Sequence, residues 1–117
     1  MLNEIVPGLV LRLNADLLLA SGATVSPGAE CHGLHWFLCF ATRRSRGEWL
    51  PCFKEPGPGR QELSVEIRSG IEEWLASSCF FNPEHVWSAS HDAILRAAES
   101  DPSRLGQRNW VVVYPTP

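Results

Sequence analysis

Apolar and polar positions change rhythm several times along this chain, and each change marks an element. Val6 to Leu13, with Pro7-Gly8 near its start, reads as a first strand. Residues 21–34 are rich in Gly, Ser, Ala and Pro and read as a loop. The runs Trp36-Phe-Leu-Cys39-Phe40 and Trp49-Leu-Pro-Cys52-Phe53 flank a short basic stretch, Arg43 to Gly47. That is the layout of a β-hairpin, with strands at about 35–41 and 48–54. A third Trp-to-Cys-Phe run, Trp74 to Phe80, echoes the first two but is too short to define a repeat architecture.

Aromatic matching predicts the hairpin register. Pairing Trp36 with Phe53, Leu38 with Pro51 and Phe40 with Trp49 puts all six on one face, and cross-strand aromatic pairs contribute ~0.2–1 kcal/mol each. A rival register pairs Cys39 with Phe53, and a left-handed Gly47 in a bulged turn would shift the pairing. Pro51 has no N–H to give a ladder, so the second strand is expected at an edge or with a bulge.

The second half alternates between periods. Lys54-Glu-Pro-Gly-Pro-Gly59 breaks the chain. Leu63, Val65 and Ile67 alternate with polar residues and predict a half-buried strand. Ser69-Gly-Ile-Glu72 fits a capping box, predicting a short helix to about Ala76. Ser77 to Phe81 reads as extended, and Asn82-Pro83-Glu84 as a helical first turn. Ser90 opens a better helix with an apolar face of Ala93, Ile94, Ala97 and Ala98, ended by Asp101-Pro102. Trp110 to Tyr114 lacks alternation and predicts a strand buried on both faces. Five or six short strands, one main helix and one or two short ones make an α+β fold. The sheet is expected to be small, antiparallel and strongly curved, or closed as an SH3-like barrel.

Composition narrows the class. A chain of 117 residues predicts a single domain, 1–117, able to bury one core without staples. The net charge of −3 gives no global attraction to nucleic acid or anionic lipid. The apolar run Leu9 to Ala20 is interrupted by Arg12, Asn14 and Asp16, so no membrane span is expected. Glu4 precedes any basic residue and no signal-like apolar segment follows, which points to a cytoplasmic protein. In that compartment the four cysteines are expected as reduced, buried thiols.

Candidate chemistry gathers around the hairpin. Arg43, Arg44 and Arg46 are the densest positive cluster: a solvated tip, or a finger for phosphate. Trp36 and Trp49 are either core rings or a stacking platform for bases, with His35 beside them. Cys31, His35 and Cys39 are spaced by four and share one side of an extended segment. With Cys52 they would offer four metal ligands, but no tight Cys-x2–4-Cys pair is present and no metal or cofactor is expected. Cys31, at the end of a polar loop beside His32, is the thiol placed to act as a nucleophile with His85 or His91 as base. His91-Asp92 is read more simply as a polar helix start.

The order of features resembles the small barrel toxins of the MazF/PemK type. Pro7-Gly8-Leu9-Val10 is similar to their first strand, and the hairpin His35–Phe53 to the two strands that follow. The resemblance is architectural and covers about half the chain. It implies a dimeric endoribonuclease acting on single-stranded RNA. His35-Trp36 stands where that family carries an Arg-Pro pair, and Arg12 and Thr42 are the residues available for its catalytic roles. Asn82-Pro-Glu-His85-Val is similar to the Asn-Cys-Glu-His segment of lecithin-retinol acyltransferase-like proteins, with Pro83 at the nucleophile's position.

No complete catalytic constellation assembles from these residues. The reading that follows is a small binding or regulatory module, with Arg43, Arg44, Arg46, Trp36, Trp49 and His35 as its contact surface. A protein partner or a second copy is the expected ligand, ahead of nucleic acid. The alternatives are a barrel-type endoribonuclease toxin or an inactive relative of one, and a Cys-dependent enzyme or metal-binding protein.

Overall fold

The structure, a computed structural model, describes residues 5–99 and 109–111. In chain order these form β1 (Leu9–Asn14), α1 (Ala15–Ala20), β2 (Thr24–Val25), β3 (Leu34–Arg43), β4 (Arg46–Pro51) and β5 (Gln61–Glu62). A 3-10 turn (Val65–Ile67) leads to β6 (Arg68–Ser69), α2 (Glu72–Ala76), β7 (Phe80–Phe81), β8 (Trp87–Ser90), α3 (His91–Glu99) and β9 (Asn109–Val111). Seven strands form one antiparallel sheet in the order β2-β8-β4-β3-β1-β9-β6, and β5 with β7 makes a separate two-stranded ribbon. The α+β class is as expected. Closure is not: β2 and β6 end the sheet without pairing to each other among the described residues, so the sheet is open rather than a barrel.

Alternation along the central strands builds two cores. Leu9, Leu11 and Leu13 of β1, Phe37 and Cys39 of β3, Trp49 of β4 and Trp87 of β8 face one side, where α1 and α3 cover them. Val10 of β1, Trp36 and Leu38 of β3, and Cys52 just past β4 face the other, against Trp74 of α2, Leu63 and Cys79. The molecule is therefore three-layered: helices α1 and α3, the sheet, then α2 with the β5–β7 ribbon. Each fully buried Leu, Ile or Phe contributes ~1.5–3 kcal/mol.

Local chemistry explains most boundaries. Gly8 takes a positive φ of 98° in the turn that feeds β1, the conformation Pro7-Gly8 is suited to. The Asn14 side chain accepts from the Leu17 N–H at 3.0 Å and starts α1, an element the strand-like reading of its neighbours does not predict. Ser90 caps α3 as expected, its hydroxyl accepting from the Ala93 N–H at 3.1 Å. Ala93, Ile94, Ala97 and Ala98 are buried, as the pattern predicts.

The hairpin register is half right. Near the turn, Arg43 pairs with Arg46, Thr42 with Gly47 and Ala41 with Glu48, as expected. A bulge between Cys39 and Ala41 then shifts the ladder, so that Cys39 meets Trp49, Leu38 meets Leu50 and Phe37 meets Pro51. One extra residue reverses every later side chain. Trp36 and Trp49 consequently lie on opposite faces of the sheet, and Phe40 is left partly exposed. Gly47 does not adopt a positive φ; it is there because a Cβ would stand 2.8 Å from the Trp49 indole nitrogen. Pro51 sits in a central strand but beyond the last β4–β8 pair, Trp49 with Trp87, so no ladder bond is lost on that side.

Three expectations in the second half are corrected. Leu63, Val65 and Ile67 do not alternate along a strand: Val65 and Ile67 lie in the 3-10 turn, and Val65 is exposed. The helix after Ser69 forms, but its cap residue is Ile71, whose N–H donates to the buried Asn109 side chain at 2.9 Å. Asn82-Pro83-Glu84 is a turn, with Asn82 accepting from the Glu84 N–H, and the chain leaves it as strand β8 rather than as a helix. Strand β9 is paired on both sides, to β1 and β6. Residues 112–114 and the Asp101-Pro102 stop lie outside the described residues.

Candidate functional site

Arg12 and Trp36 are register partners on adjacent strands and point to the same side of the sheet. The Arg12 guanidinium lies over the Trp36 ring, 5.2 Å from its centroid. The same guanidinium reaches α2, where Nη1 donates to the Glu73 carboxylate at 3.3 Å. Behind Trp36 stands Trp74, with ring centroids 5.2 Å apart, and behind that the Arg68 guanidinium, 4.7 Å from the Trp74 ring. Cation and aromatic thus alternate across this face, each cation–π contact contributing roughly 0.5–2 kcal/mol according to its exposure.

Arg68 holds this layer together. It donates to the carbonyls of Trp74, Ser77 and Leu63, tying the end of α2 to the segment before it. A planar guanidinium can meet several carbonyls at once, and the Trp74 carbonyl also accepts from the Ser77 N–H that caps α2, at 3.4 Å.

Where the layer stops, a pocket of ≈ 220 Å³ opens between the ends of β1 and β3, the chain after β4, and α2. Arg12, His35, Trp36, Phe53, Lys54 and Glu73 are in its wall. His35 is fixed by its neighbours: Nδ1 lies 3.1 Å from the Cys52 carbonyl and Nε2 2.9 Å from the His32 carbonyl. A neutral imidazole can donate to one of these oxygens, the imidazolium to both. Phe53 meets the His35 ring edge-on at 5.3 Å. Among the described residues the Arg12 Nε is buried without a hydrogen-bond partner. The wall thus combines an aromatic floor, the fixed charges of Arg12 and Lys54, a doubly anchored imidazole and one carboxylate.

The six residues nominated from the sequence do not form one surface. His35 and Trp36 meet in this pocket. Arg43, Arg44 and Arg46 lie at the other end of β3, roughly 20 Å away at ~3.3 Å per residue. Arg43 and Arg46 line a separate hollow of ≈ 210 Å³ with Glu48 and Ser88, and Arg46 donates to the Ser88 carbonyl at 3.2 Å. Trp49 has no exposed surface and faces the α1/α3 side, so it presents no ring to solvent. Arg12 and Glu73 enter the site only through the fold. Arg12 alternates with Val10 in a strand, which places it on the Trp36 face, but nothing local says that α2 will bring Glu73 there.

The thiols are distributed between the two cores. Cys31 and Cys39 lie on the α1/α3 side and Cys52 on the other, so the sheet separates the ligands a metal would need. Among the described residues no group of three His, Cys, Asp or Glu converges on a common point. Burial, with the Asp16 carboxylate adding to it, pushes the Cys31 thiol up to about 12, and burial takes Cys39 to about 12 as well. Cys31 makes no hydrogen bond to His85 or His91 among the described residues. The His85 Nε2 lies 3.4 Å from the Asn82 amide nitrogen, and the His91 Nε2 is buried without a partner among the described residues.

Comparison with protein-family models, curated proteins and solved structures finds no match to this chain. No helix among the described residues is long and apolar enough to cross a membrane.

Proposed function

We propose that this protein is a binding or regulatory module whose ligand site is the pocket between β3 and α2, and that the ligand is a small planar anion such as an aromatic carboxylate. The observation that carries this reading is Arg12. Its guanidinium lies over Trp36, in a wall that also holds Lys54 and His35. A planar anion would lie against the aromatic floor and take a bidentate bond from the guanidinium. Glu73 is half exposed at 48%, and its carboxylate meets Arg12 Nη1 at 3.3 Å. Such a pair is worth ~0–1 kcal/mol, so a ligand carboxylate can displace it. A pocket of this size fits a one- or two-ring molecule, which favours a metabolite-sized ligand over an extended polymer.

The test is a titration of labelled protein with benzoate and 1-naphthoate, followed by NMR, with benzamide as the neutral control. The expected result is saturable shifts at the Trp36 indole N–H and at the amides of residues 34–36 and 52–54, absent with benzamide. Arg12→Met should weaken binding at least tenfold, and Glu73→Gln should strengthen it. Shifts that are scattered, or equal for benzoate and benzamide, would remove this reading.

A further inference from the structure

At the end of β3 away from the pocket, the hairpin carries positive charge that no carboxylate neutralises. Arg43 and Arg46 are register partners, so their side chains leave the sheet side by side on one face. Glu48 stands two residues from Arg46 on that face, between its own partners, Ala41 of β3 and Ser88 of β8. Together with Gly47 these residues line the hollow of ≈ 210 Å³. No residue of α2 or of the β5–β7 ribbon lines it, so the layer that covers Trp36 stops short of this half of the sheet. Ala41 and Ser88 are small, which leaves depth between the longer side chains. Like charges directly opposite each other weaken a strand pair. Here neither guanidinium has a carboxylate at ion-pair distance among the described residues. Arg46 is instead aimed by Ser88: Nη2 donates to its carbonyl at 3.2 Å and to its hydroxyl at 3.4 Å. Both bonds use a single nitrogen, and a guanidinium carries donors on the other two as well. The backbone of the turn is pinned, the Ser45 carbonyl accepting from the His91 N–H at 2.8 Å.

We propose that this hollow is a binding site for a phosphate monoester whose carrier brings a hydroxyl group. A pair of phosphate oxygens matches a guanidinium fork, and two forks side by side meet a tetrahedral dianion from two directions. Binding there removes the repulsion between Arg43 and Arg46 that the free protein bears, and a singly charged ligand relieves less of it. Glu48 decides what is attached to the phosphate. A carboxylate repels a bare anion but accepts from a hydroxyl, so the carrier's hydroxyl turns Glu48 from an opponent into a partner. Size limits the carrier. Drug-sized ligands occupy pockets of ~300–1,000 Å³, and this hollow holds a phosphate with a few carbons. The net charge of −3 disfavours a polyanionic chain, whose further phosphates would meet a net-negative protein. The site lies at the other end of β3 from the aromatic pocket and does not depend on what that pocket binds.

The experiment titrates the labelled wild-type chain with glycerol 3-phosphate and with methyl phosphate, followed by NMR, with potassium chloride at matched ionic strength as the control. The expected result is saturable shifts at the amides of residues 41–48 and 87–89, with the Trp36 indole N–H unmoved, and tighter binding of glycerol 3-phosphate than of methyl phosphate. Arg43→Gln and Arg46→Gln should each weaken binding about tenfold or more, as loss of a charged hydrogen bond does. Arg44→Gln, at the turn and outside the hollow's wall, should have little effect. The Arg43 side chain makes no hydrogen bond among the described residues, so its replacement tests the site with the fold intact. Glu48→Gln should reduce the preference for glycerol 3-phosphate. Shifts that chloride reproduces, a failure to saturate in the millimolar range, or equal losses in Arg43→Gln and Arg44→Gln would each overturn the site, because diffuse charge at the tip would produce them. Equal binding of the two esters, or a preference unchanged in Glu48→Gln, would overturn the hydroxyl-bearing ligand. A single-stranded oligonucleotide held more tightly than either ester by the same arginines would overturn the monoester in favour of a phosphodiester chain.

Discussion

At the scale of single residues, two buried tryptophans of equal size have opposite hydrogen-bond accounts. The Trp87 indole N–H donates to the Ala29 carbonyl at 2.9 Å in the α1/α3 core. The Trp49 N–H, equally buried and packed over Gly47, has no partner among the described residues. Replacing either ring by phenylalanine removes similar volume, but only Trp87→Phe strands a buried carbonyl. Trp87→Phe should therefore cost about 1–3 kcal/mol more than Trp49→Phe, read as the difference in urea-unfolding free energy. Equal costs would mean that packing alone decides both sites. A second residue-scale constraint sits at Gly70, with φ at 139°. A side chain there would meet the Asn109 amide, the buried group that accepts the Ile71 N–H and starts α2. The sequence shows Gly70 as part of a capping box; its actual partner is far along the chain, where no local pattern points.

Elements are held by a few side chains that bridge them, and Asp16 is one that titrates. It stands in the first turn of α1 and accepts from the Gly33 N–H at 3.1 Å and meets His32 Nδ1 at 2.8 Å, tying the helix to the loop before β3. The bond to His32, and next the Gly33 N–H, hold its carboxyl below the usual 3.8. A carboxyl lowered on folding stabilises the native state fully above its unfolded value, and that contribution is lost as pH falls through the folded one. Asp16→Asn should lower the thermal midpoint at neutral pH, and the gap to wild type should close below 3.8. A gap that persists in acid would show that the amide disturbs packing rather than charge. At this scale α3 is legible from its Ser90 cap and Ala-rich face. The hairpin is legible as to place and turn. The bulge at Phe40 is not, because Gly8 and the neighbouring strand β1 determine where β3 bends: the Gly8 N–H donates to the Cys39 carbonyl at 2.8 Å.

For the whole molecule, all four thiols are buried in two cores on either side of one sheet. Nucleophilic reaction needs the thiolate and access together. In the native protein, iodoacetamide at neutral pH should label none of the four within minutes, whereas urea should release all four in a single cooperative step. Rapid native labelling of Cys31 would mean that the loop carrying it opens independently of the core. The length of β3 also separates the basic hairpin tip at one end from the pocket at the other, which is why one surface uniting Arg43, Arg44, Arg46, His35 and Trp36 does not form.

The sequence by itself determined those features that one segment can specify: the α+β class, the hairpin, the capped helix α3, and the buried state of the cysteines. Each rests on short-range chemistry, such as alternation, a cap hydroxyl, or a Pro-Gly turn. Only the tertiary structure decided which face each aromatic takes, that the sheet stays open, and that Arg12, Trp36 and Glu73 meet. Side-chain direction along a strand reverses with one inserted residue. A pocket wall, in turn, is assembled from segments whose meeting is governed by the burial of both cores at once, a condition no single stretch of sequence contains.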